Sequence, residues 1–233
     1  MRMSFAEALT RGEKHKLTRL RADLLAWASQ DGRDFPWRSP GASTYEKIVV
    51  EVLLQRTTAP AVANFYATFM HRFPNWEAIA AASADDLGLF LKPLGLWRRR
   101  AASLLGLARY AVTASGEFPR GAANHADIPA VGQYVSNAIS VFQHGENAPL
   151  LDVNMARVIE RFIRPRKLAD IRYDPWLQAA AHWLVRGESP QQVNWAVLDF
   201  AAVVCKARAP RCASCPVSSR CAYFVAQRSL QGV

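Results

Sequence analysis

No cysteine precedes position 205, no apolar run approaches the ~20 residues of a membrane span, and no stretch alternates cleanly with a period of two over six or more residues. The first absence excludes a disulfide framework through most of the chain. The second excludes a spanning helix, and the third leaves no candidate for a half-buried strand. Acid is scarce. Asp and Glu number 19 against 29 Lys and Arg, a net charge of +10 with a sequence pI near 9.9. An excess of this size points to a polyanionic partner, most simply nucleic acid, and beyond what solubility alone requires. A secretory leader is also missing: Glu7, Glu13 and Asp23 interrupt the first 30 residues, which have no continuous apolar core. A cytosolic chain with reduced thiols is expected. The five histidines, His15, His71, His125, His144 and His182, are dispersed and form no H-E-x-x-H or Cys–His pattern.

What the chain does have is apolar content, 51% of its 233 residues, ample for a core. Its apolar positions repeat with helical spacing. Leu17, Leu20, Leu24 and Trp27 form one face; Ile48, Val49, Val52 and Leu53 form a second. Further faces are Val62, Phe65, Tyr66 and Phe69; Leu104, Leu107, Ala108 and Ala111; and Val158, Ile159 and Phe162. Prolines punctuate these runs, from Pro36 through Pro74, Pro129 and Pro149 to Pro190. The pattern predicts an all-α protein of about ten short helices.

Cys205, Cys212, Cys215 and Cys221 stand in a C-x6-C-x2-C-x5-C array near the end of the chain. Two disulfides would need an oxidising compartment. A structural zinc site ordinarily uses two Cys or His pairs on either side of a longer loop, and only Cys212 and Cys215 make such a pair. Four thiolates from one tight loop suit an iron–sulfur cluster, the reading the spacing favours. Two other segments carry candidate chemistry. Ile128-Pro129-Ala130-Val131-Gly132-Gln133-Tyr134 reads as a tight turn into a helix starting near Gln133, with Gly132 free to take positive φ. The N–H groups at such a helix start can hold a phosphate, although many helix corners look alike. Asp152 follows Leu150 and Leu151 and immediately precedes a helical run; alone, it reads as an N-cap.

Taken in order, Glu51 on a helical run, the I-P-x-V-G hairpin, an Asp 20 residues beyond Gly132 and the cysteine array are similar to a known family. They resemble the helix-hairpin-helix DNA glycosylases, in the iron–sulfur branch of endonuclease III-like and MutY-type enzymes. The likeness runs from about Trp27 to Cys221. It departs at Ala130, where the family usually has Gly.

The resemblance implies a two-lobed α fold that grips double-stranded DNA. Residues 32–145 would form a six-helix barrel with the hairpin, and residues 1–31 with 146–233 a helical domain ending in a 4Fe-4S loop. It further implies a monomer, associated with the nucleoid through DNA. Asp152 matches the catalytic carboxylate, and Glu51 the acid on the base side. Tyr134 stands where glycosylases that also cut the strand carry a Schiff-base Lys, so a monofunctional enzyme is expected. Tyr134 and the runs Glu51-Val52-Leu53-Leu54-Gln55-Arg56-Thr57-Thr58 and Leu91-Lys92-Pro93-Leu94-Gly95-Leu96-Trp97 resemble enzymes that remove thymine or uracil opposite guanine. Phe35-Pro36-Trp37-Arg38 instead resembles the opening of MutY, which removes adenine. MutY usually adds a C-terminal domain that recognises 8-oxoguanine, for which no room follows Cys221. Removal of another modified base, or DNA binding without catalysis, are the remaining alternatives. Gln55 and Leu96 occupy the positions that fill the stack when a base is flipped out, and Arg56 is placed to read the widowed guanine. Val131, Gly132, Gln133 and Asn154 are the expected backbone contacts. Arg98, Arg99 and Arg100, with Lys206, Arg208 and Arg211 in the cysteine loop, read as phosphate contacts or solvated charge.

Overall fold

The structure, a computed structural model, describes residues 9–129 and 131–230. Eleven α-helices occur among them and no strand: α1 Arg11–Asp31, α2 Thr44–Leu53, α3 Ala59–Arg72, α4 Trp76–Ala80, α5 Ala84–Leu91, α6 Trp97–Thr113, α7 Gln133–Phe142, α8 Val153–Phe162, α9 Pro175–Val185, α10 Pro190–Val203 and α11 Ala222–Leu230. Local chemistry sets many of the starts. Thr10 and Ser43 close capping boxes with Glu13 and Glu46. Asn75, Ser83, Asp152 and Asp174 cap α4, α5, α8 and α9 through side-chain oxygens. Prolines occupy the first turn of α3, α9 and α10, where a missing N–H costs nothing. No described helix is long and apolar enough to cross a membrane.

The chain divides into two compact units, one continuous from Asp34 to His144 and the other assembled from the segments ending at Arg33 and starting at Gly145. In the continuous unit the second half of α2 is buried on every side, with Ile48, Val49, Val50, Val52 and Leu53 all within the core. It packs on α7, α6 and α3, while α6 also packs on α4 and α5. Phe65, Phe69, Phe73 and Phe90 form an aromatic cluster beside it, with ring centroids 5.2–6.3 Å apart. Gly106 of α6 lets the hairpin come close: a Cβ there would lie 3.0 Å from that of Pro129.

In the discontinuous unit α1 packs on α9 and α10, and α8 on α9, α10 and α11. The face Leu17, Leu20 and Leu24 is fully buried, and Trp27 packs edge-on against Phe200 at 5.3 Å. Of the polar residues buried in this unit, Asn194 is wholly shielded. Asn194 on α10 accepts a hydrogen bond from Leu150 N (2.7 Å) and donates to Ala148 O (3.0 Å) and Pro190 O (2.9 Å). It satisfies the backbone of the extended segment that leads to Asp152, which no regular element would otherwise serve.

Asn194→Leu keeps the volume but orphans a buried N–H and a buried C=O. We expect a loss of about 2–5 kcal/mol in unfolding free energy, at ~1–3 kcal/mol per orphaned group. Chemical denaturation measures it, and an unchanged midpoint would show that the segment finds other partners.

Candidate active site

Asp152 is the N-cap of α8, and its carboxylate accepts three hydrogen bonds. Oδ1 accepts from the backbone N–H of Asn154 and of Met155, both at 2.8 Å, and Oδ2 accepts from Asn154 Nδ2 at 2.5 Å. Burial pushes its pKa above the ordinary aspartate value, opposed by those three hydrogen bonds and the nearby Arg157 guanidinium. Asn154 is in turn held by Arg157, whose Nη1 donates to Asn154 Oδ1 at 3.1 Å. Arg157 also donates to the carbonyls of Cys205 (2.8 Å) and Ala201 (3.0 Å). One line of hydrogen bonds therefore runs from Asp152 through Asn154 and Arg157 to the first cysteine of the array. The Asn154 side chain, expected at the DNA, bonds within the protein through both its oxygen and its amide, because α8 stacks position 154 between positions 152 and 157. Sequence reasoning missed Arg157. Its signal was the Asn–Arg spacing of three along a helix face.

In the continuous unit Glu51 and Tyr134 meet across 83 residues. Glu51 is only 2% exposed on α2, and the Tyr134 hydroxyl donates to its Oε2 at 2.8 Å. The α2–α7 packing makes this pair, which nothing in the local sequence announces. Tyr134 is the second residue of α7, and Gly132 is its N-cap. Gly132 does not use the positive φ expected of it. Its φ of −86° and ψ of 176° are extended backbone open to any residue, and a Cβ there would meet nothing within 4 Å. Its contribution is to bring no side chain to the helix start. Gly132 and Gln133 are exposed, with Val131 partly so. Ala130 lies outside the described residues.

Gln55, Arg56 and Leu96 sit on two turns of the same unit. Gln55 and Arg56 are exposed just beyond α2. Leu96 is 50% exposed and caps α6 in a left-handed conformation, φ 46° and ψ 27°. Arg56 is left-handed too, at φ 56°. Such a backbone costs a non-glycine residue about 1–2 kcal/mol. Of the four non-glycine residues with positive φ among those described, these two turns supply two, and backbone strain gathers at functional positions. The Arg98-Arg99-Arg100 triplet divides. Arg98 and Arg99 are exposed, with Arg98 stacked on Trp97 at 3.9 Å. Arg100 is 4% exposed, so it is neither solvated charge nor a phosphate contact.

All four cysteines line one hollow, with Leu20, Val158, Phe162, Phe200 and Val217 as its apolar wall, and none forms a disulfide. Burial pushes Cys215 up to about 11 and raises Cys212 and Cys221 as well. Arg161 offsets this at Cys212; its Nη1 lies 3.5 Å from Cys205 Sγ, and the guanidinium also donates to Lys206 O and Ala207 O. Among the described residues no three His, Cys, Asp or Glu converge as the ligands of one metal ion would. As a donor set, four thiols around one hollow fit a cluster held by four thiolates. Lys206 is partly buried, while Arg208 and Arg211 are exposed on the loop.

A family described as HhH-GPD superfamily base excision DNA repair protein matches residues 49–170. Thymine-DNA glycosylase of Aeropyrum pernix is 31% identical over 217 residues, spanning 91% of this chain and 97% of that protein. Human adenine DNA glycosylase is 30% identical over 88% of this chain and 39% of its own length. Among solved structures, a thermostable thymine-DNA glycosylase superposes with a TM-score of 0.81 at 30% identity, covering 91% of this chain and 98% of that one.

Asn154→Leu removes the donor to Asp152 Oδ2 and the acceptor for Arg157. The charged form of Asp152 loses stabilisation, so its raised pKa rises further. If the ionised carboxylate is the working form, activity falls on the acid side, and in the variant that limb moves to higher pH. A pH–rate profile measures the displacement; coincident acid limbs would remove Asn154 from the control of Asp152.

Proposed function

Because the chain belongs to the HhH-GPD superfamily of base excision DNA repair proteins, we propose that it is a monofunctional DNA glycosylase that hydrolyses the N-glycosidic bond of thymine or uracil opposite guanine. The observation that carries this reading is the likeness to thymine-DNA glycosylases over 91% of the chain, in sequence and in fold. Uracil joins thymine because the two share one hydrogen-bonding edge and uracil is only a methyl smaller.

Asp152 is the reacting carboxylate of this proposal. Breaking the N-glycosidic bond leaves positive charge on the deoxyribose, and an ionised carboxylate opposite that charge lowers the barrier. Charges ~4 Å apart attract by about 4 kcal/mol at an effective dielectric near 20, about a thousandfold in rate. The N–H groups of Asn154 and Met155 aim the carboxylate and favour its charged form against the effect of burial. Asp152 also orients the attacking water. Tyr134 is a phenol and forms no imine with the sugar, so the strand stays intact. The Tyr134–Glu51 pair supplies a fixed donor and acceptor for the flipped base. Gln55 and Leu96 fill the vacated stack, Arg56 offers its donor fork to the widowed guanine, and the start of α7 at Val131, Gly132 and Gln133 binds a phosphate. Cys205, Cys212, Cys215 and Cys221 would hold a 4Fe-4S cluster, which would supply a rigid crosslink and no redox step, because hydrolysis transfers no electrons. Arg208 and Arg211, on the loop so fixed, would meet the DNA backbone.

A duplex panel carrying T·G, U·G, A·G and A·8-oxoguanine tests the reading. Strand breaks should appear with T·G and U·G, and only after alkali. Breaks before alkali would contradict the monofunctional assignment, and preferential release of adenine would replace thymine as the substrate. Asp152→Asn should abolish base release and spare duplex binding. Arg56→Ala should lessen the preference for guanine opposite the target; an undiminished preference discards its reading role. Protein purified anaerobically should be brown with about four irons per chain, and a colourless, iron-free preparation would sink the cluster.

A further inference from the structure

Arg100 is a buried guanidinium whose partners among the described residues are oxygens of backbone and hydroxyl, not a carboxylate. Its Nη2 donates to Gln55 O (2.8 Å) and Thr57 Oγ1 (2.7 Å), and its Nη1 to Leu94 O (3.1 Å) and Gly95 O. The Thr57 hydroxyl in turn donates a hydrogen bond to Leu94 O at 3.2 Å. One planar group thus ties the turn after α2 to the turn before α6. These are the turns where Arg56 and Leu96 stand in left-handed backbone, with Gly95 at φ 70° between Leu94 and Leu96. A left-handed Leu has alternatives in water that cost less, and the arginine occupies the carbonyls that those alternatives would have to release. Burial pulls the Arg100 pKa down from its ordinary value, yet a guanidinium stays charged. A fork of charged donors grips four acceptors more firmly than neutral groups would.

We infer that Arg100 is a positioning residue that locks the two turns into one rigid presenting surface, so that Gln55, Arg56 and Leu96 enter DNA at a fixed spacing. It touches neither base nor sugar and acts through the three residues it holds. This inference rests on the proposed role of those residues in DNA. Lysine cannot substitute for it, because an ammonium is a point donor and cannot span both turns.

The test uses Arg100→Lys and Thr57→Val, the second removing one hydroxyl from the clamp at a partly exposed site. Base release from a T·G duplex is followed under single-turnover conditions, and 2-aminopurine beside the mismatch reports extrusion. Both variants should keep helical circular dichroism. Arg100→Lys should lower kcat/KM by about tenfold or more, the scale on which small misplacements act, and reduce the 2-aminopurine signal; Thr57→Val should do the same more weakly. In a double-mutant cycle, Leu96→Ala should blunt the effect of Arg100→Lys, because one acts through the other. Wild-type extrusion and base release in Arg100→Lys, or additive losses in the cycle, would overturn the inference. Gln55→Ala and Leu96→Ala keep the two readings apart. If they leave base release unchanged, the role of the turns in DNA fails. If they lower it while Arg100→Lys and Thr57→Val do not, the clamp alone fails.

Discussion

A carboxylate partly withdrawn from water and ringed by hydrogen-bond donors is the feature around which the discontinuous unit is arranged. Asp152 is destabilised by burial, and the structure answers with the first N–H groups of α8, the Asn154 amide and the cation of Arg157. The answer requires α8 to begin at position 153, which the cap itself ensures. It requires the approach through Leu150 to stay extended, which Asn194 ensures from inside the core. Arg157 must remain in place, and its bonds to Cys205 O and Ala201 O hold it there. Cap, core amide and cysteine loop therefore bear on one pair of oxygens.

The continuous unit meets a different demand with similar means. It displays an apolar side chain, an amide and a cation to the outside while its own core stays closed. Glu51 is sealed by Tyr134, and the exposed turns are fastened from beneath by Arg100. In both units a polar network replaces what packing alone would not supply, namely direction. Hydrophobic burial is indifferent to small rotations, whereas a hydrogen-bonded carboxylate or guanidinium is not.

The helical fold was legible because its signal is periodic and local. Leu17, Leu20 and Leu24, or Leu104, Leu107, Ala108 and Ala111, declare a buried face from spacing alone, and the structure buries all seven. The spacing of the cysteines likewise announced one shared site, and the four do line one hollow. What stayed hidden depends on neighbours distant in sequence or on backbone angles. Glu51 and Tyr134 pair only because α2 packs on α7. Arg100 looks like its two arginine neighbours until the carbonyls around it are seen. Gly132 promised a left-handed turn that the backbone does not make, whereas Arg56 and Leu96 make one without any glycine to announce it.

The interrupted unit has a consequence for the order in which the protein matures. Residues 34–144 are complete as soon as they leave the ribosome and can fold as a domain. Helix α1 is made before them, but its partners α9 and α10 come far later. Through all that synthesis Leu17, Leu20 and Leu24 wait without a core. The cysteine loop is translated after α10, and its hollow is walled by Leu20 as well as by Val158 and Phe200. Assembly of the hollow therefore joins segments made far apart in synthesis, and it is complete only when α1 has found partners that follow it by well over a hundred residues.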